Sequence, residues 1–199
     1  FNHISGTIPE SYSQLRQLVT FNTYNNSMDG TLPVAFCQWA NLTTLTAAAN
    51  EYSSTVPACL AKLPNLIYVD LFQNKLTGTI PAAFSDIPAL RVLYLNQNEL
   101  HGDISVLCDI QTLHQFYLEK NLFSGTIPSC LSSLPQLSDL FLHHNFYSGH
   151  IPESFGYIPL LKYIDLDTNL LSGTVPESFS NLRHLSFLFL FDNHLQGSL

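Results

Sequence analysis

Apolar residues return along this chain in a fixed order, and polar ones mark the breaks between them. The clearest unit runs from Leu66 to Pro81, in which Leu66, Val69, Leu71 and Leu76 share one side while Tyr68, Asp70 and Phe72 alternate to the other. Alternation with a period of two predicts a strand. An asparagine then stands where the chain must turn off the strand. It recurs as Asn2, Asn26, Asn50, Asn74, Asn98, Asn121, Asn145, Asn169 and Asn193, at steps of 24 with a single step of 23. Its amide can satisfy backbone groups of its own and neighbouring coils that would otherwise be buried unpaired. Gly78 permits backbone angles closed to other residues, and Pro81 ends the extended segment that follows. Past the proline, Phe84 and Ile87 lie three apart before Leu90 restarts the strand, which predicts a short helical turn. Tyr12/Leu15, Phe36/Trp39, Leu60/Leu63, Leu107/Ile110, Leu131/Leu134, Phe155/Ile158 and Phe179/Leu182 repeat that pair. One coil of this kind buries little, so its neighbours must stack on it, and the fixed period predicts a solenoid.

The pattern LxxLxLxxNxLxGxIP at Leu66 to Pro81 resembles the leucine-rich repeat family, and the Gly-x-Ile-Pro tail is similar to its plant-type subclass. That subclass supplies receptor-kinase ectodomains and polygalacturonase-inhibitor-like proteins. The resemblance runs the whole length of the chain. It implies an α/β solenoid: a curved stack with a parallel concave β-sheet, short second strands after the asparagine turn and short helical turns on the convex side. No linker or composition shift interrupts the period, so residues 1–199 are expected to form a single solenoid of about eight coils of 23–24 residues. Neither end carries a capping sequence, and solenoid ends expose apolar faces unless capped. The chain is therefore expected to be a segment of a longer solenoid, with end-to-end self-association as the other way to cover those faces.

Counting coils by their asparagines, two depart from the pattern. The third has Ala47 for a strand leucine, Tyr52 in the leucine slot and Ser54 in the glycine slot. The fifth has Ser105 in place of proline and one residue fewer before Leu107, so its convex turn is expected to be distorted.

Composition narrows the class. Hydrophobic residues make up 46% and charged ones 11%, as a stack of short, mostly core-facing coils requires. No apolar run reaches the ~18 residues of a membrane span. A formal charge of −8 with 7 basic residues argues against nucleic acid, which needs clustered Lys and Arg.

The four cysteines are duplicated in arrangement. Cys37 and Cys108 follow the inward residues Phe36 and Leu107, whereas Cys59 and Cys130 precede Leu60 and Leu131. Residues on either side of an inward position point in opposite directions along the stack. One coil's cysteine thus faces the next coil's, at a spacing of ~5 Å that a disulfide accepts. Bridges Cys37–Cys59 and Cys108–Cys130 are expected, and other pairings would cross two to four coils. Disulfides imply an oxidising compartment. Two glycosylation sequons, at Asn25 and Asn41, agree with an extracellular or cell-surface location.

Function in this family lies on the outward strand positions. Four residues before each asparagine stand Asn22, Thr46, Asp70, Tyr94, Tyr117, Phe141, Asp165 and Phe189. Two before stand Tyr24, Ala48, Phe72, Asn96, Glu119, His143, Asp167 and Phe191. Six before stand Thr20, Thr44, Tyr68, Val92, Gln115, Asp139, Tyr163 and Phe187. Aromatics crowd this face from Tyr68 onward, and Glu119, His143 and Asp167 form a polar ladder in consecutive coils. An aromatic-rich open surface marks an interface, although aromatics also fill sheet faces through β-propensity alone. Tyr94, Tyr117, Glu119, Phe141, His143, Asp165, Asp167 and Phe189 are the expected ligand-binding residues.

The ladder admits a spot for a basic peptide or a sugar, a weak metal site, or incidental surface. It lacks the paired positioning of a preformed metal site, so no metal and no cofactor are expected. An open sheet offers no desolvated pocket for acid–base work, and no enzyme is expected. A column of threonines after the glycine positions (Thr7, Thr31, Thr55, Thr79, Thr126, Thr174) would suit ice, but it is also ordinary repeat consensus. The reading is a non-catalytic extracellular solenoid binding a protein, peptide or oligosaccharide on its concave face. The alternative is a structural segment of a cell-surface or extracellular fibre.

Overall fold

In the computed structural model, which describes residues 2–197, the period-two stretches do form strands. Eight of them make one parallel sheet in strict chain order: Thr20–Asn22, Thr44–Thr46, Tyr68–Asp70, Val92–Tyr94, Gln115–Tyr117, Asp139–Phe141, Tyr163–Asp165 and Phe187–Phe189. Their register repeats the sequence period, as in Phe116 opposite Leu93 and Leu140. A second parallel sheet of seven short strands follows the asparagine turns, from Ser53–Thr55 to His194–Leu195. The stack is the expected leucine-rich-repeat solenoid.

Among the described residues its convex turns are all 3-10, eight pieces of five residues each, such as Ala82–Asp86. A coil this short has room for one tight turn before the next strand must start, and 3-10 geometry is the form used in short pieces. The inward pairs of the second to seventh coils are buried as expected, and Phe179 and Leu182 of the eighth are partly so. In the fourth coil the carbonyl of Phe84 accepts the backbone N–H of Ile87 at 3.1 Å, and both side chains are buried. In the first coil Tyr12 and Leu15 remain exposed, because no earlier coil lies against them among the described residues.

The two irregular coils are repaired locally. In the third, Ser54 adopts the left-handed backbone of the missing glycine (φ 74°). The large Tyr52 is fully buried in the same core as the small Ala47, and its hydroxyl meets Met28 Sδ at 3.2 Å. The fifth coil is not distorted as expected. Ser105–Asp109 is an ordinary five-residue 3-10 turn, and only the residue before it changes, Ile104 taking φ −112° and ψ 12°. Asp103 replaces the proline's role by accepting the Ser105 backbone N–H at 3.2 Å and its hydroxyl as well.

The asparagines form a continuous spine. Asn145 Oδ1 accepts the N–H of Phe123 in the preceding coil at 3.0 Å, and its Nδ2 donates to Leu118, Leu142 and His143 carbonyls. The same set recurs at Asn50, Asn74, Asn98, Asn121, Asn169 and Asn193, and Asn26 accepts from Ile4 in the same way. The residue just before each of these asparagines is left-handed whatever its type: Asn25, Ala49, Gln73, Gln97, Lys120, His144, Thr168 and Asp192. Both predicted disulfides form, Cys37–Cys59 and Cys108–Cys130, each with its Cα atoms 5.6 Å apart.

Candidate ligand-binding face

The strands of the main sheet hold alternate side chains toward the concave face. There the aromatics meet as a ladder. Tyr94 and Tyr117 stack face to face, with ring centroids 4.4 Å apart and planes 11° from parallel. Phe141 meets Tyr117 edge-on at 4.7 Å and lies 4.6 Å from Tyr163. Tyr163 continues to Phe187 at 4.7 Å and to Phe189 at 5.7 Å, while Tyr68 joins the other end edge-on to Tyr94 at 5.6 Å. The ladder therefore zigzags between two sequence columns. Tyr94, Tyr117, Phe141 and Phe189 are members as expected. Tyr68, Tyr163 and Phe187 complete it, and the aromatic crowding of the columns is the signal that would have named them.

The polar groups run beside the rings. The Tyr94 hydroxyl donates to Gln115 at 3.1 Å, and Gln115 donates to Asp139 at 3.3 Å, which also accepts from Ser138 at 2.6 Å. Burial, then the charge of Asp70, pushes the Tyr68 phenol well above its usual range. Burial, then Tyr94 and Asp139, pushes Tyr117 up to about 12. Asn96 donates to Glu119 at 2.6 Å, yet Glu119 Oε2 and Asn96 Oδ1 are buried without partners. Burial raises the Glu119 carboxyl above the ordinary range.

The expected vertical ladder of Glu119, His143 and Asp167 is not how these groups pair. Contacts run on the diagonal, His143 Nδ1 to Asp165 Oδ2 at 3.1 Å and His144 Nδ1 to Asp167 Oδ2 at 3.7 Å. His143 Nδ1 meets Asp165 off ideal hydrogen-bonding geometry, but close enough for the two side chains to interact strongly. Burial works to depress His143, but Asp165, Glu119 and Asp167 together outweigh it and raise the imidazole. Burial would raise Asp165, and contacts with His143 and Asp167 lower it instead. Asp167 is raised, by burial first and Asp165 next. Only 3% exposed, and accepting the Thr168 hydroxyl at 2.8 Å, Asp167 is set into the face beside His144.

Elsewhere the outward positions are also less open than the alternation predicts. Asn96 is 7% exposed and Thr46 8%, since side chains on a concave sheet crowd one another. Of the sequons, Asn41 is exposed, whereas Asn25 is half-buried in the left-handed position of its turn. The threonine column has a packing role. A Cβ on Gly78 would meet the Thr55 methyl at 2.8 Å, and Thr7, Thr79, Thr126 and Thr174 cover the next coil's glycine in the same way.

The leucine-rich repeat model of known families matches residues 41–100 and 149–195, together more than half of the chain. The chain belongs to the leucine-rich repeat family. No curated protein sequence matches it. Among solved structures, this leucine-rich repeat chain is similar to the ectodomain of the Arabidopsis thaliana membrane receptor kinase GASSHO1/SCHENGEN3, crystallised with CASPARIAN STRIP INTEGRITY FACTOR 2. There the identity is 34%, the TM-score 0.94, and the match covers 98% of this chain and 24% of the receptor's. It is also similar to the plant peptide hormone receptor RGFR1 in complex with RGF2, at 33% identity and TM-score 0.96, over 100% of this chain and 32% of that one. A plant ice-binding protein matches at 29% identity and TM-score 0.84, over 98% and 62%. The chain thus spans about a quarter to a third of the length of these receptor ectodomains.

Proposed function

We propose that this chain is a non-catalytic, extracellular ligand-binding stretch of a receptor-type solenoid. Its concave face over the fifth to eighth coils takes an extended peptide carrying cationic groups. The observation that carries this reading is the mutual stacking of the rings. Tyr94 and Tyr117 cover one another's faces, and Phe141 is flanked by Tyr117 and Tyr163. A sugar needs an open ring face to stack on, whereas peptide side chains pack against ring edges and hydroxyls.

Charge favours the same ligand. The outward strand columns contain Asp70, Glu119, Asp139, Asp165 and Asp167 and neither Lys nor Arg. A peptide hormone is bound by the similar receptor RGFR1. The two disulfides suit an oxidising compartment, and passage through a secretory route would place a glycan on exposed Asn41 rather than on Asn25. The carboxylates stand on an open sheet, where nothing encloses a reaction centre.

The test is a screen of secreted basic peptides and cell-wall oligosaccharides, followed by titration of variants. Phe141→Ala weakens peptide binding by ~1–3 kcal/mol, as a central aromatic anchor does. Thr20→Ala, exposed on the second coil's strand, changes it by less than ~0.5 kcal/mol. Capture of oligosaccharides alone, equal affinity in both variants, or hydrogen-exchange protection on the 3-10 side overturns the assignment.

A further inference from the structure

One cluster on this face has a chemistry that peptide binding does not use. His144 occupies the left-handed position before its asparagine, at φ 53°, where the other coils place Asn25, Ala49, Gln73, Gln97, Lys120, Thr168 and Asp192. His143, directly before it, is likewise the sole histidine of its outward column. Two departures from the repeat therefore sit side by side, facing the carboxylates of the next coil. One ring nitrogen of each histidine and a carboxylate oxygen of Asp167 lie within 4.8 Å of one another.

We propose that His143, His144 and Asp167 bind a divalent ion of the zinc class. Two imidazoles and one carboxylate match ions that take nitrogen and oxygen together, and they do not suit calcium or magnesium. Ligand atoms around such an ion stand roughly 3.4 Å apart in tetrahedral geometry. Closing from the present spacing needs only side-chain rotation, which the 48%-exposed His144 side chain is free to make. Two further observations point to a ligand here. Asp167 is only 3% exposed, so its charge is set into the face rather than left to water. His143 Nδ1 is buried, with the Asp165 carboxylate 3.1 Å away and no hydrogen bond of good geometry to it.

The surroundings resemble those of metal ligands elsewhere, where outer groups orient the inner ones. The Thr168 hydroxyl fixes Asp167 at 2.8 Å, and Asp165 stands 3.1 Å from His143. The exposed side of His144 leaves the outer coordination position open to the groove. The site is independent of the peptide reading, because the ion is measured without a peptide.

The experiment is calorimetric titration of the folded, disulfide-intact chain with Zn²⁺ at mildly alkaline pH, repeated with Co²⁺ while its visible absorption is followed. One ion binds per chain, and cobalt develops the absorption of nitrogen–oxygen tetrahedral coordination. His144→Asn keeps a residue type that tolerates the left-handed backbone, so its fold is retained. It lowers the affinity by about tenfold or more, and Thr168→Val, which removes only the outer hydroxyl, lowers it within the ~10–100-fold range of such partners. The double variant H184N/H194N, on exposed histidines elsewhere, stays within about twofold of the parent. Absence of saturable binding, full affinity in His144→Asn, or an equal loss in H184N/H194N overturns the proposal, the last by showing adventitious surface histidines.

Discussion

At the residue scale, the spine asparagine ties the backbones of adjacent coils together. Asn145 holds backbone groups of two coils through four hydrogen bonds, in a setting where water cannot replace it. Asn145→Leu keeps the branched shape but strands those groups, each at ~1–3 kcal/mol, so we expect a loss of at least ~2 kcal/mol by denaturant unfolding. Asn65→Ala, exposed and donating only to Ala40 O at 3.2 Å, is the proper control and should change stability little. Asn96 does not serve, because it is buried and bonded to Glu119. Equal effects at Asn145 and Asn65 would show that the spine is dispensable. The ladder tyrosines make a second residue-level prediction. Tyr117 is held neutral in the fold up to about 12, while in the unfolded chain it ionises near its ordinary 10. A group whose neutral form the fold favours lowers stability once the unfolded state can lose its proton. Stability should therefore fall as pH rises from about 10 toward 12, and Tyr117→Phe should flatten that fall. An unchanged alkaline slope in the variant would refute the burial of its hydroxyl.

At the element scale, the fifth coil shows how one turn survives the loss of its proline. Ser105 looks like a defect that Ser105→Pro should mend. The geometry says the reverse. Ile104 holds ψ 12°, a conformation disfavoured before proline, and the Ser105 N–H is used by Asp103. Ser105→Pro should lower the melting temperature although it restores the repeat pattern. A higher melting temperature would mean that the pattern, not the local hydrogen bonds, governs this turn. The same element view accounts for the disulfides. Each joins 3-10 turns of adjacent coils beside an irregular one, Cys59 in the third coil's turn and Cys108 in the fifth's.

At the scale of the whole molecule, every coil touches only its neighbours, so stability is a sum of local terms. Removing a bridge should then act locally. Cys108→Ala with Cys130→Ala opens a loop of sequence separation 22 and should cost ~3 kcal/mol. Native-state hydrogen exchange should quicken chiefly in the fifth and sixth coils, with the second coil nearly unchanged. A uniform rise along the chain would mean that the stack unfolds as one unit.

Much of this was already written in the chain, because a repeat places each position in the same surroundings over and over. The inward leucines, the spine from Asn26 to Asn193, the parallel register and both cysteine pairs all follow from a period and from which side a residue faces. The convex turns were legible as helical but not as 3-10, a choice made by the few residues each coil can give to its back. The left-handed residue before each asparagine left no mark, since Ala49, Gln97, Lys120 and Thr168 share a backbone conformation and no side-chain chemistry. The concave face was legible by column and not by contact. Tyr163 entering the aromatic ladder, His143 turning to Asp165 and Asp167 sinking into the face beside His144 were all decided by tertiary structure. Alternation says only that a side chain leaves the sheet on one face. Which of several neighbours about 5–8 Å away it then meets is set by rotamers and crowding, and these exist only once the coils are stacked.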